Sequence, residues 1–284
     1  MPTIEFTDRR ATARASPATR VLAQVAMAAG AAPPIFNSQP WRWRIGDDVA
    51  ELRIDRRLQP RSTDPDARIL TISCGAALHC ARAALAAAGV TVEVTRTPDP
   101  AGSDLLARLR VTGFGAPVPD AVRYQPAVAL RHTGRRPTAD LDVPDAALSR
   151  LRAAAEEQGA HLHVLSPADA LTLTVAAGPA AVAAAGRRAR YAVLFTDADG
   201  PGAWLVGGEA LSAVLLVAST ENLVAAALSD LVEGPAIRRL LRDLVGAVGH
   251  PAMALRIDVP RDPTLGTPHR PADQPIKTVP AHAD

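Results

Sequence analysis

Aromatic residues make up only 3% of the 284, with three Trp, two Tyr and four Phe. A core must therefore be built from aliphatic and small side chains, and the many alanines point to closely packed helices. Cysteine is scarcer still. Cys74 and Cys80 stand six apart in a helical pattern, which suits neither a CxxC redox pair nor a zinc site. Both read as reduced, core-facing thiols of a cytoplasmic protein. Excess charge is also missing: the net value is +2, with arginines and acids interspersed. That leaves no polyanion-binding surface, so neither nucleic acid nor a membrane is an expected partner. The first ten residues, MPTIEFTDRR, are polar and lack the apolar centre of a signal peptide. The most apolar stretch, Trp204–Ala218, carries Glu209 and falls short of the ~20 residues that cross a bilayer. It reads as a buried helix.

What is present is an ordinary globular composition, 48% hydrophobic and 21% charged, long enough for one large domain or two fused smaller ones. A serine cap and Pro17 open a helix over 16–31. Trp41–Ile45 and Val49–Ile54 alternate like strands around Gly46-Asp47-Asp48, a hairpin turn. Further helices are expected at 68–89, 120–130, 146–159, from Trp204, and at 236–248. Further strands are expected at 90–94, 106–111, 161–165, 192–196 and 252–259. Strands and helices mix without strict alternation, so the class is α+β.

The chain also repeats itself. Thr7-Asp8-Arg9-Arg10-Ala11-Thr12-Ala13 recurs 126 positions later as Thr133-Gly134-Arg135-Arg136-Pro137-Thr138-Ala139, five of seven identical. Gly75, Ala77 and Leu78 recur as Gly208, Ala210 and Leu211, 133 positions on. Two matches in the same order point to duplication. The division falls near residue 118, giving halves 1–118 and 119–284.

Three strings carry chemistry. Ala32-Pro33-Pro34-Ile35-Phe36-Asn37-Ser38-Gln39-Pro40-Trp41 is a proline-fixed loop that presents amide and backbone groups. It suits the edge of a flat heteroaromatic ring; taken alone, it equally suits a structural turn in which Asn37 and Gln39 bond local backbone. Arg131, Thr133 and Arg135 alternate so that they can converge on one phosphate, although short arginine runs are usually solvated surface. Thr267-Pro268-His269-Arg270-Pro271 is a late basic segment, with His269 reading as a plain polar residue. His161 and His163 alternate on a strand with no evident third ligand, and Gly113-Phe114-Gly115 lacks the third glycine of a dinucleotide loop.

The first string resembles the APSxxNxQPW motif of the flavin-dependent nitroreductase superfamily, with Pro34 and Ile35 replacing its small serines. The second resembles that superfamily's Arg-x-Ser/Thr-x-Lys/Arg start, and the third its late basic segment. The resemblance covers nearly the whole chain. DPDARILTISCGAAL and AWLVGGEALSAVLL look like the two central helices, which makes Trp204 and Glu209 structural or pseudo-interface residues. The arrangement resembles the Acg-type branch, whose members are single-chain pseudo-dimers.

The resemblance implies an α+β nitroreductase fold of two fused half-copies, with central antiparallel or mixed sheets flanked by helices. It implies FMN as cofactor and NAD(P)H as electron donor. Pro33, Pro34 and Asn37 would touch the isoalloxazine; Arg131, Thr133, Arg135 and Arg270 would hold the phosphate end, with Arg135 reaching toward flavin N1 and O2. Ser229 and Asp230 stand, by position alone, beside flavin N5, because Asn222–Asp230 departs from the usual GLaaxPLxQ. The first copy keeps the ring loop but has Glu5 where the second has Arg131; the second copy has no NxQPW. One flavin site is therefore expected. Between Leu165 and Ala192 several tens of lid residues of the Acg type are missing, which implies a more open pocket. The implied activity is an oxidoreductase that passes electrons from NAD(P)H to a small conjugated, quinone or nitro acceptor, or a dehydrogenase running the other way. It would be a monomeric pseudo-dimer or a homodimer. The competing reading is a flavin-sequestering protein or a degenerate scaffold.

Overall fold

The computed structural model describes residues 3–6, 16–29, 39–97, 103–123, 138–178, 188–229 and 234–261. Strand β1 (Thr3–Phe6) precedes α1 (Pro17–Ala28), which is capped by Ser16: its hydroxyl accepts from Thr19 N at 3.0 Å. Strands β2 (Trp41–Ile45) and β3 (Val49–Ile54) pair antiparallel and turn Trp41, Trp43, Ile45, Leu52 and Ile54 inward, as their period of two requires. The long helix α2 (Arg68–Ala87) starts under an unusual cap. Ala67 is left-handed (φ 58°), and the Asp64 carboxylate accepts from Ile69 N and Leu70 N at 3.1 and 3.0 Å. A negative charge on free helix donors offsets the strained residue before them. Strands β4 (Val90–Arg96) and β5 (Leu105–Phe114) complete a sheet of order β1-β2-β3-β5-β4, antiparallel except for β1 on β2.

The second half contains α3 (Asp145–Glu156), β6 (His161–Val164), α4 (Pro167–Ala176), β7 (Arg190–Thr196), α5 (Pro201–Thr220), β8 (Val224–Ala227), α6 (Pro235–Leu244) and β9 (His250–Asp258). Its sheet runs β6-β7-β9-β8, antiparallel throughout. This is the path of β2-β3-β5-β4, with α5 following β7 as α2 follows β3. The topology thus repeats along with the sequence.

Three elements depart from expectation: β1, α4 and β8 form where the residue pattern gave no signal. Helix α6 stops at Leu244, short of 248, because Gly246 and Ala247 are left-handed (φ 72° and 58°). The expected helix at 120–130 is described only over 119–123. The apolar stretch from Trp204 belongs to a helix of 20 residues, longer than the sequence suggested. Both α2 and α5 are long and apolar enough to cross a membrane, but most of the apolar stretch of each lies buried inside the protein.

What buries them is chiefly each other. A Cβ built on Gly208 would land on the Ile72 carbonyl and 2.9 Å from Gly75 Cα; one on Gly75 would land on the Leu205 carbonyl. The two clashes are related by the same 133-residue offset that relates the sequence matches, so the contact is self-complementary, as in a two-fold dimer. One turn on, His79 Nδ1 lies 3.1 Å from Ser212 Oγ, another pair at that offset. The cores interlock there. Ile69 and Ile72 of α2 pack into the second half's core, while Leu205 of α5 packs into the first half's. The fully buried Glu209 is held from the first half by Arg82 Nη1 at 2.6 Å and Arg96 Nε at 2.6 Å.

Gly208→Ala must therefore push two backbones apart, with a loss of stability of about 1–3 kcal/mol or more. Gly202→Ala, whose Cβ meets only Thr97 Oγ1 at 3.7 Å, is the control and stays near neutral. Urea unfolding midpoints measure both; equal midpoints for the two variants would refute the close helix contact.

Candidate functional site

Of the residues expected to bind FMN, only Ser229 lies among those described. Pro33, Pro34, Asn37, Arg131, Thr133, Arg135, Asp230 and Arg270 lie outside them. The described flanks of each string nevertheless have definite positions. Pro40, at the end of the ring-loop string, accepts from Asp55 N at 2.7 Å and from Cys74 Sγ at 3.7 Å, which ties it to β3 and α2. Thr138, just past the arginine string, forms a β-bridge with Pro260, where β9 hands over to the C-terminal segment that carries Arg270. Ala139 N donates to Val259 O at 2.8 Å beside it. The roots of the two expected phosphate strings are thus joined. Ser229 is half-buried just after β8, and the neighbouring Leu228 N donates to Ala254 O of β9 at 2.8 Å.

Near the Thr138–Pro260 bridge, Asp258 is buried and accepts from Arg256 Nε at 2.8 Å. Burial raises the Asp258 carboxyl above its ordinary range against the pull of Arg256, and burial likewise raises the nearby Tyr191 hydroxyl. In the first half, Glu5 occupies β1 and its carboxylate lies 3.9 Å from Arg42 Nη1. The position equivalent to Arg131 is thus an acid turned to a cation of its own sheet.

The sequence did not announce a second feature. Between α2, α6 and the start of β9 lies a cavity of about 250 Å³ lined by Arg68, Arg238, Arg239, Arg242, His250 and Asp199. Arg68 Nη2 donates to the Pro251 carbonyl, and its Nε lies 4.0 Å from Asp199. Its Nη1 is buried with no hydrogen-bond partner among the described residues. Burial, and then the neighbouring Arg238, lower the Arg68 guanidinium to about 10. The spacing of Arg238, Arg239 and Arg242 along α6 was the only linear trace of this cluster.

No family model matches the chain. Among curated proteins, Putative NAD(P)H nitroreductase Rv3131 of Mycobacterium tuberculosis is 31% identical over 305 residues, covering 87% of this chain and 88% of its own. The chain belongs to the nitroreductase family. A second relative from that organism, Putative NAD(P)H nitroreductase acg, is 28% identical over 314 residues, 90% of this chain and 95% of the relative. That match accords with the Acg-type resemblance. Among solved structures, a Bacteroides fragilis nitroreductase with bound FMN aligns with 55% of this chain and 98% of its own, at a TM-score of 0.43 and 11% identity. That likeness is too slight to argue from; the sequence relationship carries the assignment.

Neither Cys74 nor Cys80 forms a disulfide, both are buried, and burial pushes the Cys74 thiol far above the usual range. Neither thiol should react with a disulfide reagent such as DTNB until denaturant is added, when two equivalents appear. A fast native-state equivalent would mean that the Cys74–Pro40 anchor opens.

Proposed function

We propose that the chain is an FMN-dependent oxidoreductase of nitroreductase type, built from two fused half-copies, 1–118 and 119–284, with one flavin site between them. The relationship to the mycobacterial nitroreductases, over nearly the full length of both chains, is the observation that carries this reading. The repeated sheet path and the reciprocal Gly75–Gly208 contact support the fusion.

The roots of the expected strings are what the described residues offer in support of a flavin held between the halves. The ring-loop root at Pro40 belongs to the first half, while the two phosphate-string roots meet at Thr138 and Pro260 in the second. When bound, FMN supplies the hydride and electron transfer itself. The chain's own residues bind and orient it: Pro33, Pro34 and Asn37 at the ring, Arg131, Thr133, Arg135 and Arg270 at the phosphate, Ser229 and Asp230 near N5. The Arg135 cation offsets negative charge at the pyrimidine end of the ring. Glu5 with its Arg42 partner is unsuited to a phosphate, which favours a single site. NAD(P)H serves as donor, and the acceptor is a small conjugated, quinone or nitro compound, or the site runs in reverse as a dehydrogenase. The short segment between β6 and β7 leaves the pocket open. The protein acts in the cytoplasm as a monomeric pseudo-dimer or a homodimer, without nucleic acid or membrane.

The test is the absorption spectrum of the purified protein with FMN, before and after NADPH under argon. About one equivalent of flavin, bleached by NADPH, is the expected result. Arg131→Gln and Arg135→Gln should each weaken FMN binding about tenfold or more, since charge-assisted bonds contribute ~1.5–3 kcal/mol. Flavin that NADPH leaves oxidised would turn the reading to flavin storage, and a colourless protein that ignores FMN would overturn it.

A further inference from the structure

We propose that the arginine-lined cavity between α2, α6 and β9 is a binding site for a phosphate monoester dianion, with Arg68 at its floor. Among the described residues, four guanidinium groups, one imidazole and one carboxylate, that of Asp199, border it. That carboxylate is already engaged: the Trp204 indole donates to it, His250 Nδ1 lies 3.8 Å away, and Arg68 stands no closer than 4.0 Å. Arg68 is only 7% exposed, yet its Nη1 has no hydrogen-bond partner among the described residues. A buried cation whose donor bonds nothing costs free energy unless an anion completes it. Its lowered proton affinity is the same cost seen from the proton's side.

The shape of the deficit selects the ligand. A carboxylate offers two oxygens and one charge. A phosphate monoester offers three terminal oxygens and nearly two charges, the match for several guanidinium forks converging from different elements. The volume, about 250 Å³, lies below the ~300–1,000 Å³ of pockets that enclose whole drug-sized ligands. The site therefore takes one charged group, with the rest of the molecule lying outside.

The cavity also adjoins the expected redox centre. Leu228, beside Ser229, bonds Ala254 on β9, three residues from the Pro251 that Arg68 grips; at ~3.4 Å per residue this is ~10 Å along the strand. The site itself stands on the residues described. Only the statement that its phosphate belongs to the electron donor or the acceptor rests on the proposed redox function.

Calorimetric titration with inorganic phosphate tests the site, at constant ionic strength with chloride as the balancing salt. The protein is titrated as the FMN holoenzyme with unbound FMN removed, because free FMN is itself a phosphate monoester and would compete for the cavity. Because Arg68→Gln risks misfolding, the deciding variant is R238Q/R242Q, on an accessible helix that glutamine preserves. Saturable phosphate binding in the parent, weakened tenfold or more in the variant, is the expected result. Heats no larger than those of chloride, or unchanged binding in the variant, would overturn the proposal. NADPH binding at least tenfold tighter than NADH, displaced by phosphate, would support the site and trace its phosphate to the donor. Equal nucleotide affinities with phosphate binding intact would support it and trace the phosphate to the acceptor. A colourless protein that still binds phosphate through Arg238 and Arg242 would sink the flavin reading and leave this site standing.

Discussion

Two helix backbones in contact set the geometry of the whole molecule. Where Gly75 meets Gly208 the two helices approach so closely that a methyl group on Gly75 would collide with the Leu205 carbonyl, and one on Gly208 with the Ile72 carbonyl. Each helix consequently reaches past its own sheet, and Ile72 and Leu205 sit in each other's cores. The candidate sites hang from this contact. Cys74, next to Gly75, holds the root of the ring loop, while Arg68, two turns back, holds β9 of the other half. A fixed spacing between α2 and α5 thereby fixes how a loop of one half faces a strand of the other. Close-packed interiors transmit such constraints because they have no slack to absorb a displacement.

The readable parts of the fold were those in which local pattern and burial coincide. Strands β2 and β3 alternate cleanly around an obvious turn, and their bounds were read residue for residue. Helices α2 and α5 announced themselves by apolar length and by their repeated glycine. Other elements lacked contrast. Helix α4 exposes Leu171 and Val175 while burying Leu173 and Thr174, so no apolar face marks it. Strand β8, Val-Ala-Ala-Ala, has the composition of a helix and is a strand because β9 offers it an edge. Strand β1 is four residues long and is a strand because β2 lies beside it.

The candidate site divides in the same way. The ring and phosphate strings are contiguous, so resemblance could find them. The basic cavity is not contiguous: Arg68 and Arg238 are 170 positions apart and meet only because α2 runs into the second half. No spacing rule along one chain encodes that meeting. The buried Arg68 was visible only as the first residue of an apolar helix, a place where a charge ordinarily points to solvent.

The halves repeat one another in path but not in charge. Glu209 stands where the first half has Ala76, and both arginines that hold it, Arg82 and Arg96, come from that first half. Two copies of the second half brought together would each bury a carboxylate with no cation supplied, at a cost of several kcal/mol per ion. Two copies of the first would leave their arginines facing alanine. Covalent linkage guarantees that unlike halves always meet, so neither has to supply both the charge and its partner. The two halves share a backbone path, while the one buried carboxylate between them ties the second half to the arginines of the first.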